Sequence, residues 1–577
     1  MRTTKWLCLL AVWVSVSALQ GQDISASIAG KVMDPSSAAV PNAKVTITNT
    51  DRNQVVRNIV TDTEGNYAAP IIPIGTYSIK VEANGFKAET RTGIVLNVAD
   101  DLKINITLQI GAVTDSVTVE ESAVAVELGT TASSTTIAGV QVRELSLATR
   151  NYEQLVGLMP GVTSGATDEL YIGNSAPSGT AATLPYSING NRTSANNWTV
   201  DGADNVDRGS NLTLMTFPSV DAIDQFKVQR SLYTADSGRA GGGQINVVTK
   251  SGSSQFHGGL YEFFRNDALA ANNWANNANR VNVINGVAKV PSLRWNDYGG
   301  TIGGPVYIPG KFNKDKNKTF FFFSEEQRKI ITYTTFNPTL PTTGMIAGAM
   351  AQPVCLSLTN GTCPAGSVPV TQIPASQINA NSAAYIKDVF SKLALPSANT
   401  VAATTSGFFA QRNLYNSRQE IGRVDHSFSQ TFNLWGRFEV DSIPTTEPGG
   451  LFQGNTIPGG AITNTNSPGR SLVVHAINTI RPTLLNEIGF NFSQSRIEST
   501  PVGLTTKANS PDINPAEPFA NTQGVVPTVS ISGGTGILGY GPYHELNRNY
   551  TWFDNFTWIK GRHTVKLGVS VNRYNKT

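Results

Sequence analysis

The feature that most constrains this sequence is a direct transition, over residues 218–274, from a glycine-rich segment to an aromatic strand. Its central part reads GRAGGGQINVVTKSG, in which a tight turn precedes a short apolar run and a second turn follows at Ser251 and Gly252. An apolar run between two turn signals is typical of a buried strand. A further strand pattern then mixes apolar and polar side chains, with Leu260, Tyr261, Phe263 and Phe264 as its large members. The transition predicts a small sheet domain joined directly to a second β-structure.

The N-terminus, residues 1–22, has the parts of a secretory signal. Arg2 and Lys5 give a positive start, an apolar run of about ten residues follows, and small residues near Ala18 offer a cleavage site. Cys8 lies inside the apolar run, where a lipoprotein cleavage box does not place it. We therefore expect residues 1–22 to be removed and the rest of the chain to be exported.

The composition favours β-structure over a helical enzyme. Only 15% of the residues are charged and 53 are glycine. Beyond the signal, no stretch approaches the roughly 18 apolar residues that a membrane helix requires. A protein of this kind that enters a membrane does so as a β-barrel. The formal net charge of +3 gives no electrostatic argument for nucleic acid as a partner.

Two cysteines, Cys355 and Cys363, remain after the signal, in a region rich in proline, glycine and threonine. In an exported chain, a pair so close in sequence favours a loop disulfide over a metal site. Two thiols without a nearby histidine cannot complete a tetrahedral zinc site. We expect the pair to lie in one extracellular loop, between strands that begin near Thr319 and Ser417, with Cα atoms within about 7 Å.

Residues 23–110 show short strands at regular spacing. Apolar and polar residues alternate through Lys44–Thr48 and Tyr77–Val81, with turn signals such as Asn84-Gly85 between the strands. This spacing predicts a small β-sandwich. The strings IAGKVMDPSSAAVPNAKVTITNT and TDTEGNYAAPIIPIGTYSIKVEANGFK resemble the carboxypeptidase regulatory-like domain, an accessory transthyretin-like sandwich without catalytic residues. No histidine in the chain begins the His-x-x-Glu pattern of a zinc carboxypeptidase.

From Gly258 onward the sequence changes to long strands with one apolar and one polar face. In residues 432–440 the two faces carry Phe432, Leu434, Phe438 and Val440 on one side, and Asn433, Arg437 and Glu439 on the other. A soluble sandwich has the same period, but long strands that alternate short turns with long loops favour an outer-membrane barrel. The predicted strands begin near Gly258, Arg294, Thr319, Ser417, Phe432, Leu472, Thr483, Tyr550 and Thr564.

Residues 137–252 and the strand from Gly258 resemble the plug domain and first barrel strand of TonB-dependent outer-membrane receptors. The resemblance rests on QVRELSLATRNYEQLVGLMPGV, on YSINGNRTSANNWTVDGADNVD and on the segment at 218–274. It implies a mostly β chain with an N-terminal transthyretin-like β-sandwich, an α+β plug and, over residues 253–577, part of a transmembrane antiparallel barrel. The family closes 22 strands, whereas about nine are predicted here, and natural single-chain barrels have an even number. We therefore expect the chain to stop within its barrel, as an open sheet around the plug.

Residues 111–136 are rich in valine, threonine, serine and alanine and lack proline, a composition typical of a linker. One segment resembles the TonB box, which pairs edge-on with a strand of a periplasmic energy-transducing partner. Its residues are Asp115, Ser116, Val117, Thr118 and Val119. The β-branched members favour the extended form that strand addition needs. The alternative is one more strand that closes the sandwich, and the sequence leaves both open.

No motif supports catalysis, a bound metal or a cofactor. Asp201, Asp204 and Asp207 lack the alternating ligands and distant glutamate of a calcium loop, so turn capping is the better interpretation. Gly304–Lys311 has one residue too many between its glycines for a phosphate-binding loop, and Phe312 stands where a Ser or Thr must meet magnesium. The sequence predicts that the chain is not an enzyme.

These features predict a transporter in the outer membrane of a Gram-negative cell. Its expected partners are a TonB-type protein in the periplasm, outer-membrane lipid and an unidentified extracellular ligand. Solute selection is assigned to loops that follow Asn266, Thr334, Asp441 and Arg496. A carbohydrate such as an oligosaccharide, a siderophore-like compound and a peptide stay open as solutes. The alternative is a non-transporting adhesion protein for which the barrel is only an anchor.

Overall fold

The computed structural model describes residues 25–577 except for 113–115, 121–130, 146, 148, 166–183, 235–236, 239, 273, 280–282, 285–286, 337, 394–404, 407–408, 449–456, 458, 540 and 562. The predicted signal at residues 1–22 lies outside the described residues. The α-helices of the described part are short, namely α1 (Gly139–Glu144), α2 (Trp274–Asn279), α3 (Thr343–Ile346) and α4 (Ala380–Asp388). None of the helices in these ranges is long and apolar enough to cross a membrane.

The N-terminal sandwich consists of two β-sheets that share one apolar core. Its strands are β1 (Ala26–Met33), β2 (Lys44–Asn49), β3 (Gln54–Val60), β4 (Asn66–Ile72), β5 (Gly75–Glu82), β6 (Ala88–Leu96), β7 (Asp101–Lys103), β8 (Ile106–Thr107) and β9 (Ser116–Glu120). One sheet has the order β4-β1-β7, with β8 also paired to β1, and the other has the order β3-β2-β5-β6-β9. The core takes Ile28 from the first sheet and Val45, Ile47 and Ile79 from the second. Because alternate residues of β1 are buried, the predicted strand periodicity and the sandwich are confirmed.

The plug, residues 133–249, is built on a five-stranded sheet with the order β10-β15-β16-β13-β14. Its strands are β10 (Ser133–Ala138), β11 (Val162–Ser164), β12 (Tyr186–Ile188), β13 (Asn197–Val200), β14 (Ala203–Asp204), β15 (Ile223–Ser231) and β16 (Gln244–Thr249). Short 3₁₀ segments lie at Tyr152–Leu158, Thr193–Ala195 and Val220–Ala222. The buried strand predicted from the glycine-rich segment is β16, whose residues are all buried. The sheet begins at Ser133, within the stretch that composition assigned to a linker.

The strands after the plug belong to a large antiparallel sheet, hereafter the wall, and to its loops. They are β17 (His257–Asn266), β18 (Val283–Ile284), β19 (Val287–Ala288), β20 (Arg294–Pro305), β21 (Thr319–Phe336), β22 (Thr339–Leu340), β23 (Ala349–Val354), β24 (Val370–Gln372), β25 (Thr405–Ser406), β26 (Phe409–Ser427), β27 (Phe432–Ser442), β28 (Thr445–Pro448), β29 (Ile462–Asn466), β30 (Gly469–Arg481), β31 (Leu484–Pro501), β32 (Tyr543–Lys560) and β33 (His563–Lys576). The long wall strands run in the order β17-β20-β21-β26-β27-β30-β31-β32-β33, and the shorter β28 and β29 join the same sheet. The predicted set of long strands is thereby confirmed.

The wall turns its polar face toward the plug and its apolar face outward. In β27 the side chain of Phe438 is 49% exposed, whereas Arg437 and Glu439 on the other face are buried. Outward apolar side chains continue in β33, where Leu567 is 67% exposed while Ser570 is buried. The apolar-out, polar-in alternation expected of an outer-membrane wall is therefore present.

The two ends of the wall differ in their connections. Short connections join neighbouring strands between Ser427 and Phe432 and between Lys560 and His563. Long connections, between Phe336 and Phe409 and between Pro501 and Tyr543, leave the other end. Because outer-membrane barrels carry short periplasmic turns and longer extracellular loops, the long connections mark the extracellular end. Within the described residues, β17 pairs with β20 alone and β33 with β32 alone, so the sheet is open between them.

The junction of plug and wall depends on close backbone packing at Gly252. A Cβ atom on this residue would lie 2.4 Å from the carbonyl oxygen of Phe321 and 2.7 Å from that of Gly304. Only glycine permits that approach without a shift of the backbone. The end of the plug is thus seated directly against two wall strands, β20 and β21.

Candidate functional site

The contact between plug and wall is centred on the buried carboxylate of Asp201. This residue follows β13 in a tight turn with a φ of 51°. Its two oxygens accept hydrogen bonds from the backbone N–H of Thr249 at 2.9 Å and from the hydroxyl of Thr249 at 2.7 Å. The guanidinium of Arg437, on wall strand β27, approaches the same carboxylate at 2.8 Å. Asp201 therefore links two plug strands to the wall.

Two wall arginines complete this buried site. Arg437 also donates to the carbonyl oxygen of Val200 at 3.2 Å and pairs with Glu439 on its own strand. Arg423, on β26, lies 3.6 Å from Asp201 and stacks 4.4 Å from the ring centre of Trp435. Since an unpaired buried charge is costly, each of these groups depends on the others.

A second group of ion pairs surrounds Arg150, in the plug segment before the first 3₁₀ turn. Its guanidinium lies 2.6 Å from Asp221 of the plug, 3.2 Å from Asp297 on β20 and 3.5 Å from Glu326 on β21. Arg328 of the wall pairs with the same Asp297 at 3.0 Å. Burial alone would lower the pKa of Arg150, but the three carboxylates outweigh it and raise that pKa. The side chain therefore stays charged, as the contact requires.

Aromatic side chains of the first wall strand cover the same arginine. The guanidinium carbon of Arg150 lies 4.0 Å from the ring centre of Phe263 and 5.2 Å from that of Tyr261. The hydroxyl of Tyr261 donates to Glu326 at 2.9 Å. Cation–π contacts of this kind strengthen when water is excluded. Tyr261 and Phe263, two of the large residues from which the strand was predicted, thus belong to the wall and also contact the plug.

A third contact joins Asp207 to the last wall strand. Its carboxylate accepts from the hydroxyl of Tyr574 at 2.7 Å, from the N–H of Gly209 at 2.8 Å and lies 3.2 Å from the ammonium of Lys576. Burial would raise the pKa of Asp207, but these donors outweigh it and hold the pKa below its ordinary value. The carboxylate is therefore ionised at neutral pH.

The predicted role of the three aspartates as turn caps is incomplete. Asp207 does cap the turn at Gly209, and Asp204 pairs with Arg208 in the same loop. Asp201 and Asp207, however, also contact cations of the wall. Sequence reasoning missed this because the partners belong to strands more than two hundred residues away. In the part of the chain that the structure describes, no group of three or more His, Cys, Asp or Glu side chains could hold a metal ion.

At the extracellular end, three of the four predicted solute-selecting loops pack together. The shared apolar cluster comprises Leu340, Tyr385, Val389, Phe390, Ile457, Ile513, Val526 and Ile537. Polar contacts reinforce it: the hydroxyl of Tyr385 donates to the carbonyl oxygen of Pro527 at 2.9 Å, and Asp388 accepts from the N–H of Asp512 at 2.8 Å. The loops after Thr334, Asp441 and Arg496 therefore form one assembly, whereas no described residue of the loop after Asn266 belongs to this cluster.

Cys355 and Cys363 form a disulfide in the connection between β21 and β26, with a Cα–Cα distance of 5.7 Å. The connection leaves the extracellular end of the wall. Between the two cysteines, Thr359 and Thr362 exchange backbone hydrogen bonds in a tight turn. The bridge thus closes a small hairpin within this connection.

The segment that resembles the TonB box lies at the edge of the sandwich. Strand β9 pairs in parallel with β6, with Ser116 opposite Ala88 and Glu120 opposite Thr92. All five of its side chains are exposed, including Val117 and Val119. The described residues thus adopt the second alternative, an added sandwich strand, and Asp115 lies outside them. A role of Asp115, Ser116, Val117, Thr118 and Val119 in partner contact stays a prediction.

Two family descriptions match the chain. An outer membrane beta barrel domain matches residues 248–577, and a carboxypeptidase regulatory-like domain matches residues 27–109. The first match covers the whole wall, and the second covers the sandwich up to β8.

The chain is also similar to individual proteins. The TonB-dependent transporter Oar of Myxococcus xanthus is 28% identical over 307 residues, which are 52% of this chain and 26% of that protein. The solved outer membrane transporter YddB of Escherichia coli covers 77% of this chain and 48% of its own, at 11% identity and a TM-score of 0.44. A ferric enterobactin receptor, PfeA of Pseudomonas aeruginosa, covers 77% and 49% at 13% identity and a TM-score of 0.41. The chain thus spans half or less of the length of these relatives.

Proposed function

Because the chain belongs to the outer membrane beta barrel domain family, we propose that it acts there as a TonB-dependent receptor that imports a solute into the periplasm. Its closed state is the plug seated against the polar face of the wall. The proposal requires three parts: a surface that binds solute, a barrier that opens, and a contact through which energy arrives.

The barrier is the observation that carries the proposal. Asp201, Arg150 and Asp207 of the plug each pair with charged groups on the wall, and Asp201 is fully buried. Separation of such pairs leaves buried charges without partners unless water enters with the movement. A passive pore does not need a barrier that buried ion pairs hold closed. A receptor that opens only under an applied force does need one.

The outer membrane has no nucleotide supply, so we place the energy input at the segment 115–119. Strand addition by a periplasmic protein would use the backbone of an extended segment and leave its side chains free. Ser116–Glu120 is already extended, and its side chains are exposed. The solute would enter from the opposite end, where the joined loops form the surface that faces the outside.

The deletion of residues 115–119 in the full-length protein tests this proposal. Cells that carry the deletion should show normal surface display but no uptake, because the force has no point of attachment. Val117→Pro should have the same effect, since proline removes a backbone donor and resists pairing, and Val117→Thr is the matched control that keeps a β-branched residue.

Uptake is measured with labelled members of three solute classes in turn: an oligosaccharide, a ferric siderophore and a short peptide. Uptake of one class that the deletion abolishes and Val117→Thr preserves would support transport and identify the class. Adhesion predicts that the deletion changes neither display nor attachment of cells to a surface. Uptake that survives the deletion would contradict the proposal.

A further inference from the structure

A buried ion pair connects the sandwich to the plug. Lys227 lies in β15, the second strand of the plug sheet, and is 1% exposed. Its ammonium lies 2.9 Å from the carboxylate of Asp100 and donates to the carbonyl oxygen of Ala99 at 3.1 Å. Both acceptors belong to the sandwich turn between β6 and β7. A buried ammonium in the plug is thus neutralised in part by the sandwich.

The conformation of that turn fixes the position of the Asp100 carboxylate. Ala99 has a φ of 52°, and the second oxygen of Asp100 accepts from the backbone N–H of Asn97 at 2.8 Å and from its side chain at 2.9 Å. One oxygen therefore fixes the turn while the other faces Lys227. A preformed acceptor of this kind costs little ordering entropy on docking.

A second contact joins the sandwich to the junction of plug and wall. Arg52, in the turn between β2 and β3, donates to the carbonyl oxygen of Gly252 at 3.2 Å and pairs with Asp425 of the wall at 3.2 Å. Its guanidinium also lies 4.8 Å from the ring centre of Phe320. One sandwich side chain therefore contacts the plug end and two wall strands.

The same turn binds the segment that leads from plug to wall. The carbonyl oxygen of Asp51 accepts from both the backbone N–H and the hydroxyl of Ser254, each at 2.9 Å. A cavity of about 540 Å³ remains among sandwich, plug and wall, lined in part by Thr50, Thr249 and Asp425. The sandwich and plug cores form separate apolar clusters. Besides a small apolar contact of Ile71 with Ile477 and Leu485 of the wall, the sandwich is held by polar contacts around a cavity. Such contacts are typical of interfaces that separate, unlike a continuous apolar core.

We propose that the sandwich is a latch: it holds the plug in its resting position from the periplasmic end and must undock before the plug moves. Lys227 with Asp100 is one point of the latch, and Arg52 with Gly252 and Asp425 is the other. Both points act on the plug sheet or on the segment that tethers it to the wall. The proposal concerns a conformational step and depends on neither the identity of the solute nor that of the partner.

The test is hydrogen exchange measured by mass spectrometry on the full-length protein in detergent. In the double variant Arg52→Gln/Lys227→Met, amides of β15 and of residues 251–255 should exchange roughly tenfold faster than in the unmodified protein, because charge-assisted contacts that seat them are lost. Amides of β2 and β5, inside the sandwich, should keep their protection.

The matched control is Lys80→Met/Arg91→Gln, which removes two cations that pair with Glu82 and Glu89 on the sandwich itself. Unchanged exchange of β15 and 251–255 in the double variant would overturn the latch, as would equal acceleration in the control. If the double variant fails to fold, Arg52→Gln alone is measured at residues 251–255 with the same two outcomes. The exchange measurement involves neither solute nor partner, so its outcome does not depend on whether the transport proposal is correct.

Discussion

The sandwich buries apolar side chains against one another, whereas the plug is joined to the wall by charged pairs in addition to an apolar contact with Trp295, Ile330 and Tyr415. Ile47 and Ile79 represent the first case: both are 0% exposed and neighbour each other across paired strands. Asp201 and Arg437 represent the second, because one belongs to the plug and the other to the wall. The first kind of contact fixes a fold, and the second positions one folded part inside another.

This difference has a functional meaning. An apolar core loses stability with each buried group that is removed, so the sandwich is suited to stay intact. Ion pairs can exchange protein partners for water when a cavity opens, so the plug contact is suited to be broken and made again. The two regions should therefore respond differently to substitution.

The largest effect is expected at Arg437. Arg437→Met leaves the carboxylates of Asp201 and Glu439 without their common partner, so we expect plug docking to weaken by about 3–5 kcal/mol. Hydrogen exchange of β13 and β16 measures the loss. Arg418→Met is the control, because that arginine pairs with Glu420 in an exposed position and should change nothing. Equal effects of both variants would show that buried charge does not seat the plug.

A smaller effect, confined to the sandwich, is expected at Ile79. Ile79→Ala removes buried methyl groups and should lower the free energy of unfolding of the sandwich by about 3 kcal/mol. Thermal unfolding, together with hydrogen exchange of the β2 and β5 amides, measures this loss of stability. Val60→Ala, at an exposed position, should leave the sandwich unchanged. If plug amides lost as much protection as sandwich amides, the two regions would share one folding unit, contrary to this expectation.

The disulfide should matter only to the extracellular loops. Cys355→Ser/Cys363→Ser frees a short hairpin, which we expect to destabilise the loop by about 2 kcal/mol. Exchange should rise in residues 349–372 and stay unchanged in plug strand β16. A change at β16 would show that the loop assembly is coupled to the contact between plug and wall, contrary to this expectation.

A pH dependence is expected at Lys250, which donates to the carbonyl oxygen of Asp221. Burial, followed by the nearby charge of Arg143, lowers the pKa of Lys250 to about 8, against 10.5 for an ordinary lysine. Between these values the unfolded state binds more protons, so plug stability should rise as the pH increases from about 8 to about 10.5. Lys250→Met should flatten this rise in thermal unfolding scans. An unchanged slope in the variant would assign the pH dependence to other groups.

The wall strands were predictable where lipid and plug impose alternation. Strands begin at Arg294, Thr319 and Phe432, as the pattern indicated. The strand predicted near Ser417 begins instead at Phe409, because β26 and β21 stay paired beyond the alternating segment. There the outward face need not be apolar, so no periodic signal marks the extension.

The site was much less predictable than the fold. The segment 218–274 indicated that plug and wall meet, since Gly252 and Tyr261 lie within it. The pairing of Asp201 with Arg437, or of Lys227 with Asp100, leaves no local pattern, because each residue is also an ordinary turn or strand residue. Only the folded arrangement shows which distant charges neutralise each other.

A double-mutant cycle on Asp201→Asn and Arg437→Met tests most directly whether charge pairs hold the plug in the wall. The free energy of local opening is measured from hydrogen exchange of Asn197–Val200 in the full-length protein. We predict that the two substitutions are strongly non-additive, with a coupling energy of about 2 kcal/mol. Effects that add to within about 0.5 kcal/mol would show that the two residues act independently and would contradict the account.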